Sequence, residues 1–547
     1  MLPRLRARLP LLGTVWRLSL PVIVSNLLIS LVNVVDIFMV GRLGPLEIAA
    51  VGMATSVRML VLIGIMSVTA GSIALAAQAY GARDARALSH VARQSLSLTV
   101  LLALLLSVVG WLLAEPLLRI LNSGGDPQAA ALGAAYLRIL FLGTVLLALN
   151  LVINSLMQGA GDTVTPLYIT AGANVLNILF NYLFMFGPGP LPALGVAGAA
   201  VGTLIARFIA SVIGLVILYS GRNPVHILPG SYRPDWGMFR DILAIGVPSG
   251  LQGVARNGAQ VFLLGIVTST AAGTYGAAAL AIGLQIESLA FMPGLAISVA
   301  ATSLVGQALG SWDPEEARRR GDTAIVLGVL VMSLAAVPIF ALAPQILHLF
   351  DPSAHPTVIA AGTSYLRINA LFLPLLAVAM VTNGTLRGAG DTRPGLVGTV
   401  IGRCLIVVPL AHLLALTLDF GVVGVWWALC VGTTIQALWV ALRWRGTRWQ
   451  GVALRKTALY RRHLGGLSER VQRRFLQEVR TPLMACLGAS EAVEEAGVRY
   501  TLPEGRGAAF VRFREGTFEV AEGREHLPHP SSAAAPKRPK AAAYAHD

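Results

Sequence analysis

Residues 163 to 206 read TVTPLYITAGANVLNILFNYLFMFGPGPLPALGVAGAAVGTLIA, 44 positions without an Asp, Glu, Lys or Arg. An α-helix rises about 1.5 Å per residue, so about 20 apolar residues cross the ~30 Å of bilayer hydrocarbon. The stretch is long enough for two crossings, and Gly187-Pro188-Gly189-Pro190 divides it near its middle. It therefore reads as two membrane spans joined by a tight turn. Only helices and closed barrels satisfy their backbone in lipid. A run this continuous lacks the polar/apolar alternation of a barrel strand.

The same reading extends in both directions. Arg93 and Glu115 enclose 21 uncharged residues, enough for one span. Along the chain it gives twelve helices, centred near Leu27, Leu60, Leu104, Leu146, Ile178, Phe208, Gly258, Leu289, Leu330, Leu375, Leu405 and Ile435. The fold class is an all-α membrane protein of twelve transmembrane helices in two six-helix halves. The expected division is an N-terminal segment 1–16, a first lobe 17–220, a linker 221–241, a second lobe 242–443 and a tail 444–547. Arg4, Arg6 and Arg8 are followed by a full-length span without a clear cleavage site, so a removable signal peptide is not expected.

Charge distribution sets the orientation. With the N-terminus inside, the inner loops and helix ends hold 18 Arg, and the outer loops hold Arg42 and Arg119. Basic loops stay cytoplasmic, so both termini are expected there. The net charge of +15 is thus an orientation signal, not a nucleic-acid footprint. The only lysines are Lys456, Lys537 and Lys540, so the Gly-Lys step of a phosphate-binding P-loop is missing. Cys404, Cys430 and Cys486 form no CxxC pair, and the nine His show no metal spacing. An embedded enzyme would need paired acids or a His cluster in the spans. His412 alone among the histidines reads as lying clearly within one, so no enzyme, metal or cofactor is expected.

The chain also repeats itself. Under a shift of 229 residues, Gln78-Ala79-Tyr80-Gly81 falls on Gln307-Ala308-Leu309-Gly310 and Asp84 on Asp313. Tyr136-Leu137-Arg138-Ile139 falls on Tyr365-Leu366-Arg367-Ile368. Gly159-Ala160-Gly161-Asp162-Thr163 falls on Gly388-Ala389-Gly390-Asp391-Thr392. Six spans per half is an even number, so both halves enter from the same side. Such parallel repeats pack about an axis along the membrane normal, with a cavity between them.

These residues resemble the multidrug and toxic compound extrusion (MATE) family over about residues 17–443. The resemblance rests on Asp36 before Gly41, the paired loops from Gln78 and Gln307, and the paired GAGDT turns. The segment Ile286 to Gly294 is similar to the bacterial DinF-like branch. The resemblance implies antiport, in which entering H⁺ or Na⁺ drives export of amphipathic, often cationic, organic compounds. It also implies a multi-pass bacterial inner-membrane protein whose partners are a small organic substrate and the bilayer, working as a monomer. A lipid-linked precursor flippase of the same superfamily architecture is the alternative. It would favour a strongly cationic cavity, and central basic residues look scarce.

Polar residues inside the spans are the functional candidates. A charged side chain at mid-membrane costs about 2.5–3.5 kcal/mol on insertion scales, and such residues are functional by default. Asp36, in LVNVVDIFMVG, is the first candidate for cation coupling, because a carboxyl that gains and loses a proton as its cavity opens can link ion flow to shape change. Asn177 and Asn181 share a helix face and can ligate a cation or hydrogen-bond an acid. The family commonly has an acidic residue at the place of Asn181, so one titratable group is missing here. Arg58 and Glu287 are equivalent under the 229 shift. With Arg256, Phe291 and Met292 they are the expected substrate-cavity residues. They could instead pair within their own halves, Arg58 with Asp36 and Glu287 with Arg256. Another branch carries a Glu eight residues after the seventh-helix proline, and counting from Pro248 gives Arg256 here. Arg138 and Arg367 are expected to snorkel towards headgroups. Asp162 and Asp391 are expected to cap helices, and Pro21 and Pro248 to bend them. In the tail, Leu467 to Val479 suggests an amphipathic helix, Val498 to Val520 a small β-meander, and 528–547 a disordered end.

Overall fold

The computed structural model describes residues 9–122, 126–188, 192–311, 313–350, 355–450, 452, 490–494, 497–501, 508–514 and 517–522. The first half comprises α1 (Leu9–Gly41), α2 (Pro45–Gly81), α3 (Ala85–Leu121), α4 (Pro127–Leu142), α5 (Thr144–Gly159), α6 (Val164–Phe186) and α7 (Val196–Tyr219). The second comprises α8 (Trp236–Thr268), α9 (Gly273–Gly310), α10 (Pro314–Ala341), the short α11 (Ala343–Phe350) and α12 (Pro356–Gly388). There follow α13 (Arg393–Thr399), a π-helical segment (Val400–Val407), α14 (Val408–His412), a second π-helical segment (Leu413–Thr417) and α15 (Gly421–Arg445).

Among the described residues, ten helices are long and apolar enough to cross a membrane, and α4 with α5, bent by 50° at Gly143, make an eleventh span. The twelfth is α8. Its 33 residues reach about 50 Å as a helix, but Gln252, Arg256, Asn257 and Gln260 dilute its apolar character. Each expected helix centre falls inside one of these spans. Large apolar side chains remain exposed along them, such as Val34, Leu105, Leu330 and Leu442, as lipid-facing surfaces require.

Repeat-related residues do the same work in both halves. The Asp84 carboxylate accepts from the Ala87 N–H at 2.9 Å and starts α3, and Asp313 accepts from the Glu316 N–H at 2.8 Å and starts α10. Gly161 and Gly390 take φ of +88° and +74° at the two GAGDT turns, where a side chain would be strained. Asp162 accepts from the N–H groups of Val164 and Thr165 at 3.1 and 3.0 Å, as a cap should.

At the end carrying the Arg-rich loops, the two halves grip each other reciprocally. The Gln78 amide donates to the Gly388 carbonyl at 2.9 Å, and the Gln307 amide donates to the Gly159 carbonyl at 3.0 Å. Each glutamine thus holds the GAGDT turn of the opposite half. Gly81 and Gly310 let the ends of α2 and α9 cross with backbones in contact, and a Cβ at either would fall on the backbone of Gln307 or Gln78.

The first helix of each half also crosses over. Val15 packs with Ile297, Ala300 and Leu304 of α9, and Val22 and Ile23 pack on Ala296. In mirror fashion, Gly71 of α2 lies against the Ile242 carbonyl of α8, and Gly246 against Ser67. Pro21 and Pro248 lie inside these two helices, and the contacts to the opposite half continue past each of them, through Val22 and Ile23 on Ala296 and through Gly250 against Ser67.

The connection after α7 lies along α3. Arg93 donates to the Leu228 carbonyl at 2.6 Å, the Gln94 amide donates to the Arg233 carbonyl at 3.0 Å, and His90 pairs with Asp235 at 2.9 Å. His90 and His348 thus sit in helices, which the sequence reading did not place there. Asp235 also caps α8 through Gly237 and Met238. Chiefly the His90 hydrogen bond, then those backbone amides, hold its carboxyl below the usual carboxylate range. A depressed value means its stabilisation is full at neutral pH and fades only as pH falls through the lowered value. Asp235→Ala is expected to remove about 1 kcal/mol of capping and to speed proteolytic nicking of residues 221–235. Unchanged nicking would count against the docking.

In the tail, β1 (Ser490–Glu494), β2 (Gly497–Thr501), β3 (Ala508–Arg514) and β4 (Thr517–Glu522) form an antiparallel meander in sequence order. Its register pairs Val498 with Val511 and Val511 with Val520. The meander expected from Val498 is present, with one further strand before it. The expected helix at Leu467 to Val479 and the end at 528–547 lie outside the described residues.

Candidate functional site: two charged clusters within the spans

The first cluster lies in the N-terminal half. Asn181 on α6 donates through its amide nitrogen to Asp36 Oδ1 at 2.9 Å, and more weakly to Asn177 Oδ1 at 3.3 Å. Asn177 donates to Thr203 Oγ1 on α7 at 3.0 Å. The arrangement depends on helical spacing, since Asn177 and Asn181 are one turn apart. It also depends on Gly202, whose bare backbone lets α7 pass close to Asn181. The result is a relay across three helices, Asp36–Asn181–Asn177–Thr203.

One atom of the relay is left over. Asn181 Oδ1 is buried and has no hydrogen-bond partner. Its amide nitrogen points at the Asp36 carboxylate, and its carbonyl oxygen is turned towards the bare backbone of Gly202 on α7. Such an oxygen suits a Na⁺ ion or a donated proton, and buried polar atoms left unmatched cost free energy. Arg207 and Arg58 share this cluster with Asp36. Among the described residues, however, no salt bridge within 4.0 Å joins either to it. The direct Arg58–Asp36 pair is therefore not formed.

The second cluster lies in the C-terminal half. Glu287 on α9 accepts a hydrogen bond from the Tyr365 hydroxyl on α12. Gly283, one turn earlier on α9, makes this possible, because a Cβ there would overlap the Tyr365 ring. Trp426 meets the other side of that ring edge-on at 4.8 Å. Arg256 on α8 does not pair with Glu287 either. Its guanidinium lies over the Phe291 ring at 5.4 Å. Arg403 approaches from the π-helical segment, where the Cys404 thiol faces the Ala255 carbonyl at 3.7 Å.

The expected substrate-cavity residues thus divide. Arg256, Glu287 and Phe291 come together, while Arg58 belongs with Asp36. Met292 sits at the seam between halves, with the Ser30 hydroxyl of α1 at 3.6 Å from its sulfur. The expectation that central basic residues are scarce is corrected, because Arg58, Arg207, Arg256 and Arg403 outnumber Asp36 and Glu287 by two to one. Sequence reading missed Arg207 and Arg403 as site residues, although each interrupts a long apolar stretch. It also treated Tyr365 only as part of a repeat. Arg138 has a partner of its own: Glu115 holds it at 2.8 Å, beside Trp111.

Comparison with known proteins follows the internal duplication. The MatE family model matches residues 21–183 and again residues 248–413, which fall in the two halves. The chain belongs to the MatE family. Among MATE relatives, the multidrug resistance protein NorM of Burkholderia vietnamiensis is 32% identical over 443 residues, covering 78% of this chain and 92% of that protein. A MOP-superfamily transporter from Pyrococcus furiosus, described as having a binding pocket of reverse polarity, superposes with a TM-score of 0.74 at 27% identity, covering 81% of this chain and 96% of that one. A MATE structure described as bent gives a TM-score of 0.74 at 26% identity, covering 82% and 99%. The chain is accordingly a multi-pass multidrug efflux transporter with the twelve-helix MATE fold.

Asn177→Ala tests whether the relay is structural. Interhelical polar contacts in membranes contribute about 0.6–2 kcal/mol, so the melting temperature in detergent is expected to fall by only a few degrees. Efflux is expected to weaken without disappearing. Complete loss of efflux with an unchanged melting temperature would place Asn177 in direct cation contact instead.

Proposed function

We propose that this MATE protein is a secondary antiporter, in which H⁺ or Na⁺ entering at Asp36 drives export of amphipathic organic compounds by alternating access. Both termini and the Arg-rich loops lie in the cytoplasm of a bacterial inner-membrane protein, following the bias of basic residues. With that orientation, the Gln78 and Gln307 grips close the inner face and the conformation described is outward-facing.

The observation that carries the proposal is the free Asn181 Oδ1 beside Asp36, inside the spans. A carboxylate and an unmatched carbonyl oxygen can hold one small cation and release it when the helices shift. Bending at Pro21 would change the position of Asp36 relative to Asn181, and MATE relatives are described in bent and straight conformations. The acid common in the family at the place of Asn181 is replaced, and the Glu that another branch carries in the seventh helix is Arg256 here, so the coupling falls on Asp36 alone.

The test is dye efflux from proteoliposomes under a pH gradient and a Na⁺ gradient imposed separately. Efflux is expected to follow one gradient and ignore the other. Efflux indifferent to both would overturn antiport. The flippase alternative gains support from the four arginines, and substrate-stimulated proton or Na⁺ flux separates it, because a flippase substrate would move without that flux.

A further inference from the structure

Cationic cargo, the class implied by the family resemblance, would meet two arginines for every carboxylate in these clusters. The C-terminal cluster is the more pronounced case. Glu287 is its only carboxylate among the described residues, and the Tyr365 hydroxyl engages it. Arg256 and Arg403 make no salt bridge within 4.0 Å among the described residues. Arg256 lies instead over the Phe291 ring, its guanidinium 5.4 Å from the ring centre. Two neighbouring guanidinium groups inside a membrane domain need a counter-charge, and the cluster does not supply enough.

The local backbone brings them together. Val400–Val407 is wound as a π-helix, a form concentrated at functional sites because it re-aims side chains. Its repeat counterpart, in α6, is an ordinary α-helix. Under the 229 shift Arg403 replaces Asn174, so the cation has no equivalent in the first half. The contact between Cys404 and the Ala255 carbonyl places the neighbours of Arg403 and Arg256 against each other. Phe291 beneath Arg256 supplies an apolar, aromatic wall for the body of an amphipathic ligand.

We propose that Arg256 and Arg403, with Phe291, form a subsite for an anionic group, a carboxylate or phosphate on an amphipathic molecule, so that cargo is anionic or zwitterionic rather than simply cationic. The arginine fork suits both groups, since guanidinium binds carboxylate and phosphate through paired hydrogen bonds. The inference rests on the efflux reading for what the ligand is, but the subsite is testable without transport.

The probe is fluorescein, an aromatic carboxylate, titrated by fluorescence anisotropy against the purified full chain in phosphatidylcholine nanodiscs with no gradient. Arg256→Gln and Arg403→Gln are each expected to weaken binding roughly tenfold or more, the usual effect of losing a charged hydrogen-bond partner. Arg403→Lys should retain more affinity than Arg403→Gln. Glu287→Gln should tighten binding, a gain that misfolding cannot produce. Anionic phosphatidylglycerol in the disc separates the two sources of the anion. If it competes with fluorescein in the wild type, the natural occupant includes a lipid headgroup; if it does not, the site is for cargo, and both results support the subsite. Unchanged affinity in both glutamine variants, or equal loss in Arg403→Lys and Arg403→Gln, would overturn it. Failure here leaves gradient-driven efflux at Asp36 untouched, because that is measured with different residues and a different assay.

Discussion

Gly81→Val is expected to abolish efflux while the protein still inserts. Gly81 lies where α2 crosses α9, and any Cβ there falls on the backbone of Gln307. Backbone cannot move aside as a flexible side chain can, and overpacking of this kind costs typically 1–3 kcal/mol. The cost applies only while the Arg-rich face is closed, so it disfavours that state relative to the open one. A difference of that size moves the balance between two states by about five- to 150-fold. Gly310→Val should act alike, because the same crossing is met from the other half. Spin labels at Arg86 and Glu315, both exposed and related by the repeat, report the distance across this face. Wild type should give a short population that the valine variants lose. An unchanged distance distribution with normal efflux would show that the grip is not a gate.

Asp36→Asn is the second large effect. The substitution keeps an oxygen to accept the Asn181 hydrogen bond, so the relay and the fold should persist, with a melting temperature close to wild type. What disappears is the charge. Without it the site cannot alternate between a proton- or Na⁺-loaded form and an empty anion. Cells carrying the variant should become as dye-sensitive as cells without the transporter. Asn181→Leu should be milder in coupling and worse for stability, because it removes the donor to Asp36 and leaves Asn177 Oδ1 without its partner.

Much of this architecture can be read from the chain because the two halves solve the same local problems. A helix stop followed at once by a new helix needs a positive-φ residue and a capping carboxylate, so Gly161 and Asp162 recur as Gly390 and Asp391. The spans are legible because hydrocarbon tolerates few charges, and the same reasoning exposes Asp36 and the asparagines of α6. The reciprocal grip was visible only as a repeat. Nothing in sequence says that Gln78 reaches a carbonyl 310 positions away. The pairing of charges was hidden for a similar reason. The 229 shift relates Arg58 to Glu287, yet it does not reveal that each stays in its own half, or that Tyr365 reaches Glu287 before any arginine does. The π-helical turns that present Arg403 leave no mark on composition or spacing. The half-polar α8 is legible as a span centred near Gly258, but only the structure shows that Arg256 on it turns to the charged cluster while Leu251, Val254, Val261 and Phe262 stay exposed on its other faces.

The most direct test of coupling at Asp36 is cation release on substrate binding. Purified wild type and Asp36→Asn are reconstituted in vesicles, and the pH and Na⁺ of a weakly buffered solution are followed as a transported dye is added. Wild type is predicted to release H⁺ or Na⁺ in proportion to dye bound, and Asp36→Asn to bind dye with no release. Equal release from the two proteins would contradict coupling at Asp36.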